Sequence, residues 1–300
     1  MQIIKPITVT DSILVSSNVP ENDYAEWSSA TTYSTGQRVI VLSTHKIYES
    51  LINSNLNNNP VTDDGTKWLD LGATNRWRAF DKRIGNKVTQ LDTIQYVLSD
   101  PNSNVTSVAL FGLVGISANV TVVYNSIEVY NQTFSLTDNR NIVDWYTYFF
   151  EEQVQLEEAL FLNIPPYLGA TVTITVTAAT GTNAELGQIV FGFLSDLGLT
   201  NYGTVVSIED FSRKETDAFG NFFVVERAFS QIADFDVQFE TRNTRKIQQT
   251  LSQFRATPIV YIGNPDASYA TIIYGFYRRF DLTLETPSLS FGAIEVEGLT

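Results

Sequence analysis

The chain has 300 residues, 43% of them hydrophobic and 17% charged, a balance that favours folding over disorder and suffices for two or three domains with separate cores. The absence of cysteine and the single histidine, His45, exclude disulfides and thiolate metal sites and leave any zinc site to be built from carboxylates. A net charge of −14 argues against nucleic-acid binding, which needs clustered Lys and Arg on phosphate.

Valine, threonine, isoleucine, tyrosine and phenylalanine are abundant, so mainly β structure is expected. Residues 1–20 read as a short extended arm in which Ile3, Ile4, Ile7 and Val9 partly alternate, followed by a polar turn at 18–23. Such an arm pairs with a neighbouring chain or adds an edge strand to its own. This segment lacks the unbroken apolar run of a signal peptide, and no stretch approaches a membrane span. Synthesis in a cytoplasm without membrane insertion is the expectation.

The stretch 27–80 holds three of the four tryptophans and is the densest in spaced aromatic, glycine and turn residues. Val39-Ile40-Val41 and Lys46-Ile47-Tyr48-Glu49-Ser50 flank Leu42-Ser43-Thr44-His45, which suits a hairpin with a four-residue loop, and Gly36 closes the turn before it. So small a unit buries too little surface through aliphatics alone. Trp27, Tyr33, Tyr48 and Trp68 are expected to supply its core.

Residues 76–87 carry five bases, Arg76, Arg78, Lys82, Arg83 and Lys87, against Asp81, whereas 88–196 carry eleven acids against Arg140 alone. The basic seam docks on an acidic neighbour or forms a solvated linker whose arginines stack on the tryptophans. Runs at 94–98, 105–114, 119–124, 127–134, 145–150, 160–164, 171–177 and 186–194, with Asn, Gly, Asp and Pro between them, predict a jelly-roll-like β-sandwich over 81–198. Strict alternation over 171–177 leaves one face wet. Over 145–150 the same alternation sends Trp145, Thr147 and Phe149 to one face and Tyr146, Tyr148 and Phe150 to the other. One set is expected in the core, and the other, beside Glu151 and Glu152, as a contact surface for protein or sugar.

A third unit, 199–300, combines strands at 222–229, 235–240, 259–263, 271–280, 282–285 and 290–297 with one helix at about 244–256. Ile247, Leu251 and Phe254 fall at helical spacing, Asn243 or Thr244 can cap the start, and Pro258 stops continuation. The stretch 214–221 reads as a polar hairpin tip turning at Gly220-Asn221. The whole is thus a mainly β chain: an N-terminal arm with a small β unit (1–80), a central β-sandwich (81–198) and a C-terminal β-sandwich with one helix (199–300).

Nothing in the sequence assembles a catalytic site. His45 lies in a hairpin loop and reads as a surface histidine, too isolated for a triad. Glu151, Glu152, Glu157 and Glu158 read as a solvated face, and Asp63-Asp64-Gly65 as a turn and not a calcium loop. Glycan hydrolysis would need two acids facing one cleft at roughly 5 to 9.5 Å.

The early Trp27, Tyr33-Ser34-Thr35-Gly36, Val39, Tyr48, Pro60 and a final Trp resemble the small chitin-binding module of secreted chitinases over about a sixth of the chain. Where that family carries exposed sugar-stacking aromatics after the tyrosine, this chain has Leu51-Ile52-Asn53. A longer combination resembles a family of tailed-phage tail and baseplate virion proteins. It comprises Ile3-Ile4-Lys5-Pro6-Ile7, the chitin-module-like unit, Asn75-Arg76-Trp77-Arg78-Ala79-Phe80-Asp81, the stretch 212–221 and Gly275-Phe276-Tyr277. One helix across a β-sandwich is, by analogy, also the layout of tail-tube-like and distal-tail modules. The resemblance implies a non-enzymatic structural component of a tail tip, baseplate or neck. It would be made in the host cytoplasm, placed in the virion, and work as a homo-oligomer in contact with other virion proteins. The alternative is a receptor-recognition protein for host-surface carbohydrate. Candidate contacts for sugar or partner are Trp145, Tyr146, Tyr148, Arg76 and Arg78; no cofactor, metal or catalytic residue is implied.

Overall fold

The computed structural model describes residues 1–138, 142–150, 154–216, 219–266 and 269–299. Arg140, Glu151 and Glu152 of the charge and sugar readings, and Asp217 and Ala218 of the hairpin tip, lie outside the described residues. The fold is mainly β, organised by one large curled antiparallel sheet. Across it run Glu158–Phe161, Ser107–Phe111, Gln188–Asp196, Gln2–Pro6, Ile259–Ile262, Ile272–Leu284, Leu289–Gly298 and Phe229–Glu240. Leu199–Thr200 and Val205–Asp210 both pair with the last of these.

Gln2–Pro6 is therefore neither an edge nor an arm to a neighbour. Ile3 stands opposite Ser195 on one side and Tyr261 on the other, and Ile4 opposite Leu194 and Val260. The four apolar positions read as an arm are instead partly a central strand, because Ile3 and Ile4 are both fully buried, one on each face. The edge strand expected of this region comes later, at Leu14–Ser17, which borders a second sheet of five strands. That sheet continues with Thr93–Ser99, Thr171–Thr177, Ser117–Tyr124 and Ile127–Ser135.

The two sheets form a sandwich. Tyr96, Val120, Val122, Val172 and Ile174 from the five-stranded sheet meet Val108, Leu110, Phe161, Ile189 and Phe191 from the large one. In Thr171–Thr177 the valines and the isoleucine are buried and the threonines half-exposed, so the alternation of the sequence maps onto dry and wet faces. The intervening residues of the large sheet, Ala109, Phe111, Leu160 and Val190, point to its other side and gather Ile4, Val260, Ile262, Ile272 and Tyr274. The strands of the third unit thus share the sheet of the second. Where they curl, backbones approach closely enough that a Cβ on Gly275 would lie 1.9 Å from the Glu297 carbonyl oxygen.

Two helices need comment. α1, Trp145–Phe150, occupies a stretch whose alternation predicts a strand, and none of its side chains is buried. The expectation that one aromatic set is core is overturned. The local cause is capping: Asp144 Oδ1 accepts from the Thr147 N–H at 2.7 Å, and Thr147 Oγ1 accepts from the N–H groups of Val143 and Asp144 at 3.0 Å each. Among the described residues no strand pairs with this stretch, and the reciprocal pair outweighs the β preference of the aromatics. α2, Thr244–Gln253, lies where helical spacing puts it, with Ile247 and Leu251 packed on Ile3, Phe235, Val237, Tyr261, Ile294 and Val296. Asn243 makes no side-chain capping bond; the 3-10 turn Thr241–Asn243 leads into the helix instead.

The small unit is a three-stranded sheet, Arg38–Val41, Lys46–Ser50 and Trp68–Ala73, with the expected four-residue hairpin loop at 42–45. Tyr33, Val39, Tyr48 and Trp68 form its core, with Trp27 packed alongside. Asp63 Oδ2 accepts from the N–H groups of Gly65, Lys67 and Trp68, which makes this carboxylate a turn fastener.

Candidate functional site

The aromatics of α1 form the first candidate surface. Trp145 is 78% exposed and Phe150 75%, with Tyr146, Tyr148 and Phe149 also open to solvent. Residues four apart stack on one another: Trp145 on Phe149 at 6.2 Å with 22° between planes, and Tyr146 near Phe150 at 5.0 Å. The two short strands that flank the helix in sequence pair with each other, Thr137 with Gln155 and Asp138 with Val154, as a short stem. The stem is tied to the sandwich by Gln155 Nε2 donating to the Gly115 carbonyl at 2.8 Å and by the Leu136 N–H donating to the Ile116 carbonyl at 2.9 Å, and the Leu156 N–H closes its base on the Leu136 carbonyl. α1 thus presents its aromatic rings to solvent.

The seam residues have other work. Arg76 Nε donates to the Val19 carbonyl at 2.7 Å and its guanidinium lies 3.9 Å from Glu21. Arg78 donates to the Lys87 carbonyl at 3.4 Å. Both sit on or beside the 3-10 helix Asn75–Phe80, which joins the small unit to the sandwich, and their polar partners lie in that joint, away from the α1 rings. His45 belongs to the same joint and is no surface histidine. Its ring stacks on Trp77 at 4.0 Å, and Nδ1 lies 2.9 Å from Glu21 Oε1. Nε2 lies 2.8 Å from Asp11, close enough to pair as ions though not aligned as a hydrogen bond. Its φ of +55° places it in the left-handed region, which closes the tight hairpin loop.

A groove of about 370 Å³ opens on the back of the large sheet. Phe111, Ile272, Tyr274, Ile84 and Leu299 make it apolar; Lys87, 3.4 Å from Glu185, also lines it, as do Glu157 and Glu158. Phe111 and Tyr274 stack at 5.6 Å. Burial, with Glu157 adding a smaller push, raises the Glu158 carboxyl to about 7, and burial likewise raises the Tyr274 phenol. Among the described residues, no cluster of three or more His, Cys, Asp or Glu is placed to hold a metal ion, and no helix is long and apolar enough to cross a membrane.

A second apolar surface lies at the far edge of the sheet. Arg213–Thr216 and Phe222–Val225 pair as an isolated hairpin, with Val205–Asp210 leading into it. Alternation puts Phe222 and Val224 on one face and Phe223 on the other, and all three are exposed, as are Val205, Ile208 and Phe211. Lys214 Nζ sits 4.2 Å over the Phe222 ring. Gly220, at φ +85°, supplies the turn expected at this tip.

Sequence reading thus located the aromatics of α1 but placed them on a strand, and it missed the groove and the apolar faces of the hairpin. The run Phe222-Phe223-Val224-Val225 was the available signal for the latter. An unbroken apolar run fits burial on both faces or exposure on both, and periodicity cannot tell them apart. What fold and surface define is a mainly β sandwich protein with two exposed apolar surfaces. No family model, curated protein or solved structure matches the chain.

Proposed function

We propose that the chain is a non-enzymatic structural component of a tailed-bacteriophage virion, at the tail tip, baseplate or neck, acting through oligomeric assembly and contacts with other virion proteins. The virion assignment rests on the resemblance of the sequence motifs. The assembly reading is carried by one observation, the hairpin Arg213–Thr216/Phe222–Val225, whose second strand exposes Phe222 and Val224 on one face and Phe223 on the other, beside the polar strand Arg213–Thr216. A two-stranded ribbon is marginal in water by itself, and apolar surface of this extent marks a place that another protein covers.

Light scattering at several concentrations, on the parent chain and on Phe222→Ser/Val224→Ser, tests this reading. The parent is expected to assemble into a defined oligomer and the variant to dissociate at concentrations where the parent does not, with folding intact because both side chains are exposed. A glycan array on the same samples tests the receptor-recognition alternative. A parent that is monomeric throughout and binds a particular sugar would replace assembly with carbohydrate recognition.

A further inference from the structure

The joint between the small unit and the sandwich closes on one imidazole ring. His45 is carried by the hairpin loop of the small unit, and three groups anchored on the sandwich meet it. Asp11 stands in the turn 10–13, closed by the Ile13 N–H on the Thr10 carbonyl, and Ile13 is buried in the sandwich core. Glu21 follows Val19, which is fully buried in the same core. Trp77 leads there through a ladder of rings, meeting Phe80 edge-on at 5.8 Å, which in turn meets Tyr96 at 5.5 Å.

Neighbours of this kind fix the proton count of the ring. An ionised carboxylate only accepts, and a neutral imidazole has a single N–H, so between two carboxylates it serves one and turns a lone pair on the other. Glu21 Oε1 lies 2.9 Å from Nδ1 and Asp11 Oδ1 2.8 Å from Nε2, so the arrangement calls for the imidazolium. The wider surroundings have the same sign. The N-terminal segment brings Asp11, Glu21 and also Asp23, which accepts from the Asn75 N–H at 3.1 Å. Lys46 and Asp70, paired with each other at 2.5 Å, line the same cleft as the ring, with Asp81 and Arg83. Arg76 lies 3.9 Å from Glu21, and Arg78 is engaged by the Lys87 carbonyl. Acids outnumber bases around the ring, which favours its charged form.

The two carboxylates differ in what they lose with the proton. The Glu21 side chain, only 8% exposed, keeps Thr74 Oγ1 at 2.8 Å and Arg76 as partners, and a neutral ring still offers it the Nδ1 hydrogen. Asp11, 73% exposed, would then face a lone pair and turn to water. Deprotonation severs the Asp11 contact and spares the Glu21 contact.

We propose that His45 is a proton-operated clasp, which as an imidazolium ties the turn at Asp11 to the hairpin of the small unit and on losing its proton frees that turn and loosens the joint. The proton is bound in the clasped state, so the joint is tight on the acid side of the His45 titration and loosens as pH rises through it. The clasp works within one chain and stands apart from the assembly reading above.

The test uses the full chain, in which the only histidine gives ring signals in NMR that report this one site. Asp11→Asn removes the charge at an exposed position. If the proton strengthens the Asp11 contact, Asp11 strengthens the hold on the proton, so the His45 titration midpoint of the variant is expected about half a pH unit below the parent's. That is the counterpart of a roughly threefold coupling across a partly exposed ion pair. Hydrogen exchange of the Asn75 and Trp77 amides, compared between the two proteins at the same pH, is expected to show the parent about threefold better protected at pH 5 and equal at pH 9. Equal midpoints, or the same protection ratio at both pH values, overturn the clasp. His45→Asn, a residue that tolerates the left-handed backbone, is expected to match Asp11→Asn in protection at both pH values. A His45→Asn chain that keeps the parent's protection at pH 5 overturns it as well.

Discussion

Replacing Ile4 by alanine should loosen the two halves of the large sheet together. Ile4 is fully buried between Leu194 and Val260, and its side chain lies among Phe111, Leu160, Val190, Val260, Ile262, Ile272 and Tyr274, which come from both sides of the Gln2–Pro6 strand. The substitution removes three carbons, worth about 2.4 kcal/mol at about 0.8 kcal/mol each. A residual void of roughly 40 Å³ adds about 1 kcal/mol, for a total of about 3.4 kcal/mol. Urea unfolding followed by far-ultraviolet circular dichroism reports the sheets, and hydrogen exchange of the Ser107–Phe111 and Leu289–Gly298 amides reports the two halves separately. Both sets of amides are expected to lose protection by a similar amount. A loss below about 1 kcal/mol, or a loss confined to one half, would refute the claim that this strand welds them.

Two further perturbations probe the groove and the curl. The Glu158 carboxyl is raised from 4.5 to about 7, so between those values the folded chain keeps a proton that the unfolded chain has released, and stability falls as pH rises through that window and is level above it. Glu158→Gln removes this slope and should be more stable than the parent at pH 8 by as much as about 3 kcal/mol, at about 1.4 kcal/mol per pH unit; parallel urea curves at pH 5 and 8 that give the same difference between the two proteins would contradict it. Gly275→Ala, with its new carbon 1.9 Å from the Glu297 carbonyl oxygen in the undistorted sheet, forces two strands apart. A loss of about 1–3 kcal/mol is expected, and a calorimetric melting temperature equal to the parent's would show that the sheet yields freely there.

Much of the fold was legible because local rules and tertiary structure agree. The hairpin at 38–50, the aromatic core of the small unit, the alternation of 171–177 and the helix at 244–253 all follow from period, turn chemistry and side-chain size. Readings failed where the deciding interaction was either very local or very distant. In α1 the deciding pair was Asp144 with Thr147, a capping signal three positions apart that the aromatic run overshadowed. For Ile3 and Ile4 it was pairing with strands more than half the chain away, which no window on the sequence can register. His45 combines both: its loop was foreseen, but Asp11, Glu21 and Trp77 converge on it from three other segments. The groove is invisible in sequence for the same reason, since Phe111, Glu158 and Tyr274 meet only when the sheet curls.

The place of Gln2–Pro6 also sets the order in which the molecule can be finished. This strand leaves the ribosome long before its two neighbours at 188–196 and 259–262, so it must wait, unpaired and apolar, until both have been made. Closing so long a loop is slow, and an exposed Ile3-Ile4 pair is open to association with other nascent chains in the interval. Yield on expression should therefore respond to synthesis temperature and to chaperones that shield extended apolar segments, and a circular permutant beginning near residue 199, which synthesises residues 259–262 and then 2–6 in quick succession, should refold faster than the parent.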